Sequence, residues 1–139
     1  MKPQELRIGN LVCYNGKVVK VEQITKHKIG YHTKPNETRM NYARLCDIEP
    51  IPITEELLLK IGFKKERDGY LHYSDHNDEF SIKFVLGYAF IEYANLCFNP
   101  EDVTETNYGS SLEFPNSLHL HTLQNIWYLL TGKELEIKL

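Results

Sequence analysis

The sequence predicts an α+β protein, rich in strands, in which a small N-terminal β-barrel leads into an antiparallel sheet carrying two short helices. Three observations predict it. Asn15-Gly16 stands between two β-rich runs, 11–14 and 17–21, and favours a two-residue type I′ hairpin, since both turn positions need positive φ. Phe80, Ile82, Phe84 and Leu86 alternate with Ser81, Lys83 and Val85, the period-two mark of a half-buried strand. Leu123, Ile126, Trp127 and Leu130 fall at i, i+3, i+4 and i+7, one stripe of a helix, and Gly132 follows where a left-handed glycine closes such a helix.

A chain of 139 residues fits two small lobes, 1–49 and 50–139, or one domain fused from them. Burial at this length, roughly two thirds of the extended-chain surface, removes any need for a folding metal, cofactor or disulfide. Cys13, Cys46 and Cys97 are odd in number, without a CxxC, and no signal peptide is legible in the polar Met1–Glu5 stretch. Buried free thiols in a reducing cytoplasm are the expectation. The longest uncharged apolar run, 84–91, is too short to span a bilayer, so no membrane partner is expected. Net charge is −3 but uneven. Residues 1–49 hold nine Lys/Arg against five Asp/Glu, and residues 50–139 hold seven against fourteen. The two lobes thus stand at +4 and −7, an asymmetry that serves either an anionic partner or attraction between the lobes.

Taking the chain in order, the two-residue loop pairs Tyr14 with Lys17 and Val12 with Val19. Apolar residues on both faces of this hairpin suggest a curled sheet. A third strand is expected over 28–32, an exposed loop over 33–38, and a fourth strand near 44–48. With Gly9-Asn10-Leu11-Val12 entering the hairpin, this lobe resembles a small SH3-like barrel. Pro50 and Pro52 force an extended connection. Thr54 then caps a short helix with Glu55 and Glu56 in its first turn, and Gly62-Phe63 closes it as a Schellman motif. Strands over 70–73, 80–86 and 88–93 follow, then a polar loop over 99–111. Leu118 and Leu120 alternate with His119 and His121, which predicts a strand before the last helix, a helix starting at Ser117 being the competing reading. Leu135, Ile137 and Leu139 suggest a closing strand.

Three blocks carry a resemblance: Glu5-Leu-Arg-Ile-Gly-Asn10, Pro52-Ile-Thr-Glu-Glu-Leu-Leu-Leu-Lys-Ile-Gly-Phe63 and His121-Thr-Leu-Gln-Asn-Ile-Trp-Tyr-Leu-Leu-Thr-Gly-Lys-Glu-Leu135. Together the sequence resembles a family of small proteins from gut anaerobes and their bacteriophages. Leu57, Ile61, Thr122 and Trp127 depart from that family's usual residues. The family has no assigned activity, so the resemblance implies a setting, a phage or mobile-element accessory protein, and transfers no catalytic residue.

Chemistry-bearing residues fall into four groups. His72, Asp75, His76 and Asp78 offer two imidazoles and two carboxylates to a divalent metal, but a tight Ser-Asp-His-Asn-Asp turn needs the same residues for its own backbone, and that reading weighs more. His119 and His121 would share a face on a strand, with no third ligand legible; a helix-start role for His121 weighs more here too. Gln124, Asn125 and Tyr128 lie off the apolar stripe; they can read an adenine edge or a partner's backbone, but the solvated face of the helix, or bonds to a sheet edge, weighs more. Lys17, Lys20, Lys26, His27, Lys28, Lys34, Arg39 and Arg44, with Tyr14, Tyr31 and Tyr42 among them, can form a basic, aromatic-bearing surface. No nucleophile motif and no phosphate-binding glycine loop is present. The leading expectation is a non-enzymatic binding protein acting through protein contacts. Nucleic-acid binding through Lys17, Lys20, Lys28, Tyr31, Arg39 and Arg44 is the alternative, and a metal-dependent enzyme comes third.

Overall fold

A computed structural model describes residues 1–85, 88–98, 105–115 and 118–139. The protein is α+β, with three antiparallel sheets and two α-helices among these residues. The chain divides into two compact units, Met1–Ile53 with His119–Leu135, and Thr54–Leu118 with Glu136–Leu139.

The first unit begins with the expected hairpin. Strands β1 (Leu11–Tyr14) and β2 (Lys17–Lys20) pair Val12 with Val19 and Tyr14 with Lys17. Asn15 and Gly16 take φ of 50° and 72°, the two positive values that a type I′ turn requires. Strands β3 (Gln23–Ile24), β4 (Lys28–Tyr31) and β5 (Asn41–Arg44) form a second sheet in that order, while β6 (Ile48–Glu49) joins the first to give β2-β1-β6. The single strand expected over 44–48 is two strands, because a 3-10 turn at Leu45–Asp47 interrupts it and turns Leu45 inward. Neither sheet closes into a barrel among the described residues. Instead both sheets line one core of Leu6, Val12, Val19, Val21, Ile29, Tyr31, Ala43, Leu45 and Ile48. Cys46, expected to be buried, lies exposed on the same turn, and Cys13 is half-buried.

Helix α2 (Leu120–Thr131) completes this unit, and it ends at Gly132 with φ of 71°. Leu120, Leu123, Gln124 and Trp127 form its buried side, while Ile126 and Leu130 are half-buried. The buried stripe is therefore rotated toward the helix start relative to the expected one. The strand expected over 118–121 shrinks to one bridge between His119 and Pro52, followed by a hydrogen bond from the Leu120 amide to the Ile51 carbonyl at 2.8 Å. His119 is the N-cap residue, so the helix starts where the alternation suggested a strand.

In the second unit α1 (Glu55–Ile61) has the expected ends. Thr54 Oγ1 accepts from the Leu57 amide at 3.2 Å, and the Gly62 and Phe63 amides donate to the Leu59 and Leu58 carbonyls at 3.2 and 3.0 Å. Strands β7 (Lys64–Lys65), β8 (Leu71–Asp75), β9 (Asp78–Val85), β10 (Tyr88–Phe98) and β11 (Glu105–Pro115) form a meander in sequence order. Leu71, Ile82 and Ile91 are cross-strand partners on the buried face, with Tyr73, Phe80 and Tyr93 beside them. Of the loop expected over 99–111, residues 105–111 belong to β11, paired in register with β10 from Tyr88↔Pro115 to Phe98↔Glu105. Polar composition suggested a loop, but a long neighbouring strand supplies backbone partners whatever the side chains are. Leu86, Gly87, the Glu101–Asp102 pair and Ser117 lie outside the described residues. The closing strand expected from Leu135 onward is absent among the described residues; Leu135 is buried and Leu139 exposed.

Candidate functional site

The polar residues of α2 are committed within the first unit. Gln124 is 2 % exposed; its Oε1 accepts from the Leu11 amide at 2.8 Å, and its Nε2 donates to the Gly9 carbonyl at 3.2 Å. Asn125 Oδ1 accepts from Asn10 Nδ2 at 2.9 Å, and its Nδ2 donates to the Glu5 carbonyl at 3.0 Å. Arg7 lies 3.8 Å over the Tyr128 ring and donates to Glu134 Oε1 at 2.5 Å. The side-chain amides of Gln124 and Asn125 therefore satisfy backbone groups of the 5–11 segment, at Leu11 and Gly9 in partly buried bonds and at Glu5 in an exposed one. The sequence blocks at 5–10 and 121–135 meet here, one clasping the other. Such residues hold the fold, and their amide groups are not free for recognition.

The acidic hairpin separates rather than gathers its groups. His76 and Asn77 form the turn between β8 and β9, His76 with φ of 56° and its Nδ1 2.5 Å from Asp75 Oδ1. Asp78 turns to the buried face, where it accepts from Tyr93 Oη at 2.7 Å and Asn95 Nδ2 at 2.8 Å. Strand alternation puts His72 on the opposite face from Asp75 and Asp78. Among the described residues, no three His, Cys, Asp or Glu side chains form a metal-binding group.

On its own face His72 meets partners that sequence spacing did not single out. Its Nδ1 lies 2.8 Å from Ser81 Oγ and 3.2 Å from Glu79 Oε1, and its Nε2 lies 3.2 Å from Asp68 Oδ2. A hydroxyl, an imidazole and a carboxylate in line invite comparison with a catalytic triad. The comparison fails on Glu79. Glu79 as well as Ser81 lies at Nδ1, so the Ser81 hydroxyl shares that ring nitrogen with a carboxylate. Asp68 is held below the usual carboxylate range, chiefly by the Tyr70 amide and then by His72. A cross-strand polar network is the chemistry present.

His119 and His121 stack with ring centroids 5.7 Å apart and planes 8° from parallel. His121 is buried in the first turn of α2, and its Nδ1 has no hydrogen-bond partner among the described residues. Burial pushes its imidazole below the ordinary value, His119 adds to this, and Glu5 opposes it.

The basic residues of the first unit divide between its two sheets. Lys17 and Lys20 lie on β2, and Arg39 lies exposed before β5. Tyr31 is not a surface residue: it sits in the core, edge-on to Tyr14 at 5.9 Å, and burial raises its phenol. Lys28 and Arg44, by contrast, are direct cross-strand partners, and Tyr42 stands beside them on the outward face of β3-β4-β5. Lys28 Nζ lies 4.1 Å over the Tyr42 ring, while Tyr42 remains 49 % exposed. Arg44 Nε donates to Asp47 Oδ2 at 2.9 Å, which holds its guanidinium in place and raises its pKa. Of the residues predicted to bind, Lys28 and Arg44 are brought together, and Tyr42 joins them. Comparison with protein-family models, curated proteins and solved structures finds no match.

Proposed function

We propose that this protein is a non-enzymatic binding protein of the accessory kind carried by phages and mobile elements, acting by contact with another macromolecule in the cytoplasm. Its contact surface is the outer face of β3-β4-β5, on a first unit used as an SH3-like lobe. Exposed Tyr42, under Lys28 and beside the Lys28–Arg44 pair, is the observation that carries this reading. An aromatic ring open to solvent supplies contact area that burial in the fold does not use, and tyrosine and arginine are the residues that anchor interfaces. The charge of the lobe supports it as well. The first unit holds ten Lys/Arg against six Asp/Glu, and the second six against thirteen, so this face belongs to the basic unit. An acidic macromolecule is the partner chemistry that fits, and a protein is the expectation from sequence.

The test compares two immobilised chains in bacterial lysate, wild type and the double variant Lys28→Glu with Tyr42→Ala. Both substitutions are at exposed positions, so the two chains are expected to melt together. The wild type should retain a macromolecule that the variant loses. Equal retention by both would sink the proposal.

A further inference from the structure

Resting on that reading, we infer that the ligand of the β3-β4-β5 face is single-stranded nucleic acid, with a base stacked on Tyr42 in place of the Lys28 ammonium, which swings aside to hold phosphate together with Lys26 and Arg44. The tight turn joining β3 to β4 supplies the cations. The Thr25 amide donates to the Lys28 carbonyl at 2.9 Å, and Thr25 Oγ1 accepts from the Lys28 amide at 3.2 Å, which leaves Lys26 and His27 exposed at the tip. The Leu45 amide donates to the His27 carbonyl at 2.9 Å. That bond ties the tip to the end of β5, so Lys26, His27, Lys28 and Arg44 occupy one end of the sheet. Asp47 is bound to Arg44 through Nε and Nη2, and Nη1 is not part of that pairing.

Next to this end Gly30 contributes no side chain to the surface. Gly30 is the cross-strand partner of Tyr42, and a Cβ at Gly30 would collide with Met40, whose thioether lies across it. A methionine beside an exposed tyrosine makes an apolar floor bounded by cations. That is the pairing a single strand requires, a π-face for the base and positive charge for the backbone within one nucleotide's reach. A duplex hides its base faces and would use only the cations. An acidic peptide would engage the cations, and would cover the ring only where it carries an apolar or planar side chain.

The experiment measures fluorescence anisotropy of labelled oligothymidylate, oligouridylate, a DNA duplex and a polyglutamate peptide with the purified full chain, at low and physiological salt. The single strands should bind more tightly than the duplex or the peptide, with affinity falling as salt rises by a slope of about 0.7 per phosphate contact. Tyr42→Ala should weaken binding roughly tenfold or more, while Tyr42→Phe keeps it, since stacking needs the ring and not the hydroxyl. Lys28→Glu with Arg44→Glu should weaken binding and flatten the salt slope. Absence of single-strand binding at low salt overturns the inference, as does binding indifferent to Tyr42→Ala. If no oligonucleotide binds but lysate retention is still lost in the Lys28→Glu, Tyr42→Ala chain, the ligand class falls and the contact face stands. If that retention is also unchanged, both fall.

Discussion

An imidazole buried in the first turn of a helix, with one ring nitrogen unbonded, sets its own protonation against the fold. His121 meets three influences that disfavour its charged form: burial, stacked His119, and the positive end of α2. Glu5 alone opposes them. The folded protein therefore holds this proton more weakly than the unfolded chain, whose imidazole has the ordinary value of 6.5. Stability on this account is fully present above that value and is lost as pH falls below it, by up to about 1.4 kcal/mol per pH unit until the folded group also titrates. Melting temperatures measured from pH 8 to 5 should fall along that curve. In His121→Leu the drop should be shallower; an equal drop would place the responsible group elsewhere. Gln124→Ala makes a second residue-level case. It strips the Leu11 amide and Gly9 carbonyl of their partners, and denaturant unfolding should show a loss of about 1–3 kcal/mol.

At the scale of elements, α2 is held by its apolar side as well as by those amides. Trp127 is 1 % exposed and packs with Leu120 and Leu123 on the buried side of the helix, so Trp127→Ala should cost about 3–5 kcal/mol in chemical denaturation. An unchanged midpoint would mean that the helix does not dock as described. The elements legible in the sequence are those whose cause is local. Asn15-Gly16 dictates its own turn, and Thr54 and Gly62 dictate both ends of α1. Where the cause is a distant neighbour, reading failed. β11 is a strand because β10 offers it eleven partners, a fact invisible in Thr-Asn-Tyr-Gly-Ser-Ser. The side of α2 that is buried includes Gln124, because its partners are backbone groups at Gly9 and Leu11, more than a hundred residues away.

The whole molecule adds what neither residues nor elements contain, the bringing together of separated segments. Lys28, Tyr42 and Arg44 were each legible as basic or aromatic residues, but their convergence needs the β4–β5 register across the 32–40 loop. The same register consigned Tyr31 to the core. The charge asymmetry was legible outright, since it follows composition, and it coincides with the two compact units. Both units are discontinuous, and for the first this has a consequence for birth order on the ribosome. Residues 1–53 leave the exit tunnel first, yet the helix that closes their unit is translated only after 54–118. At about 5–20 residues per second, the amide of Leu11 waits several seconds for Gln124. The segment made first thus waits for a helix made near the end. A released chain ending at Leu118, which lacks only residues 136–139 of the second unit, should show that unit resistant to protease beside a first unit that is still cut, and equal resistance of both would show that the early segment closes without waiting.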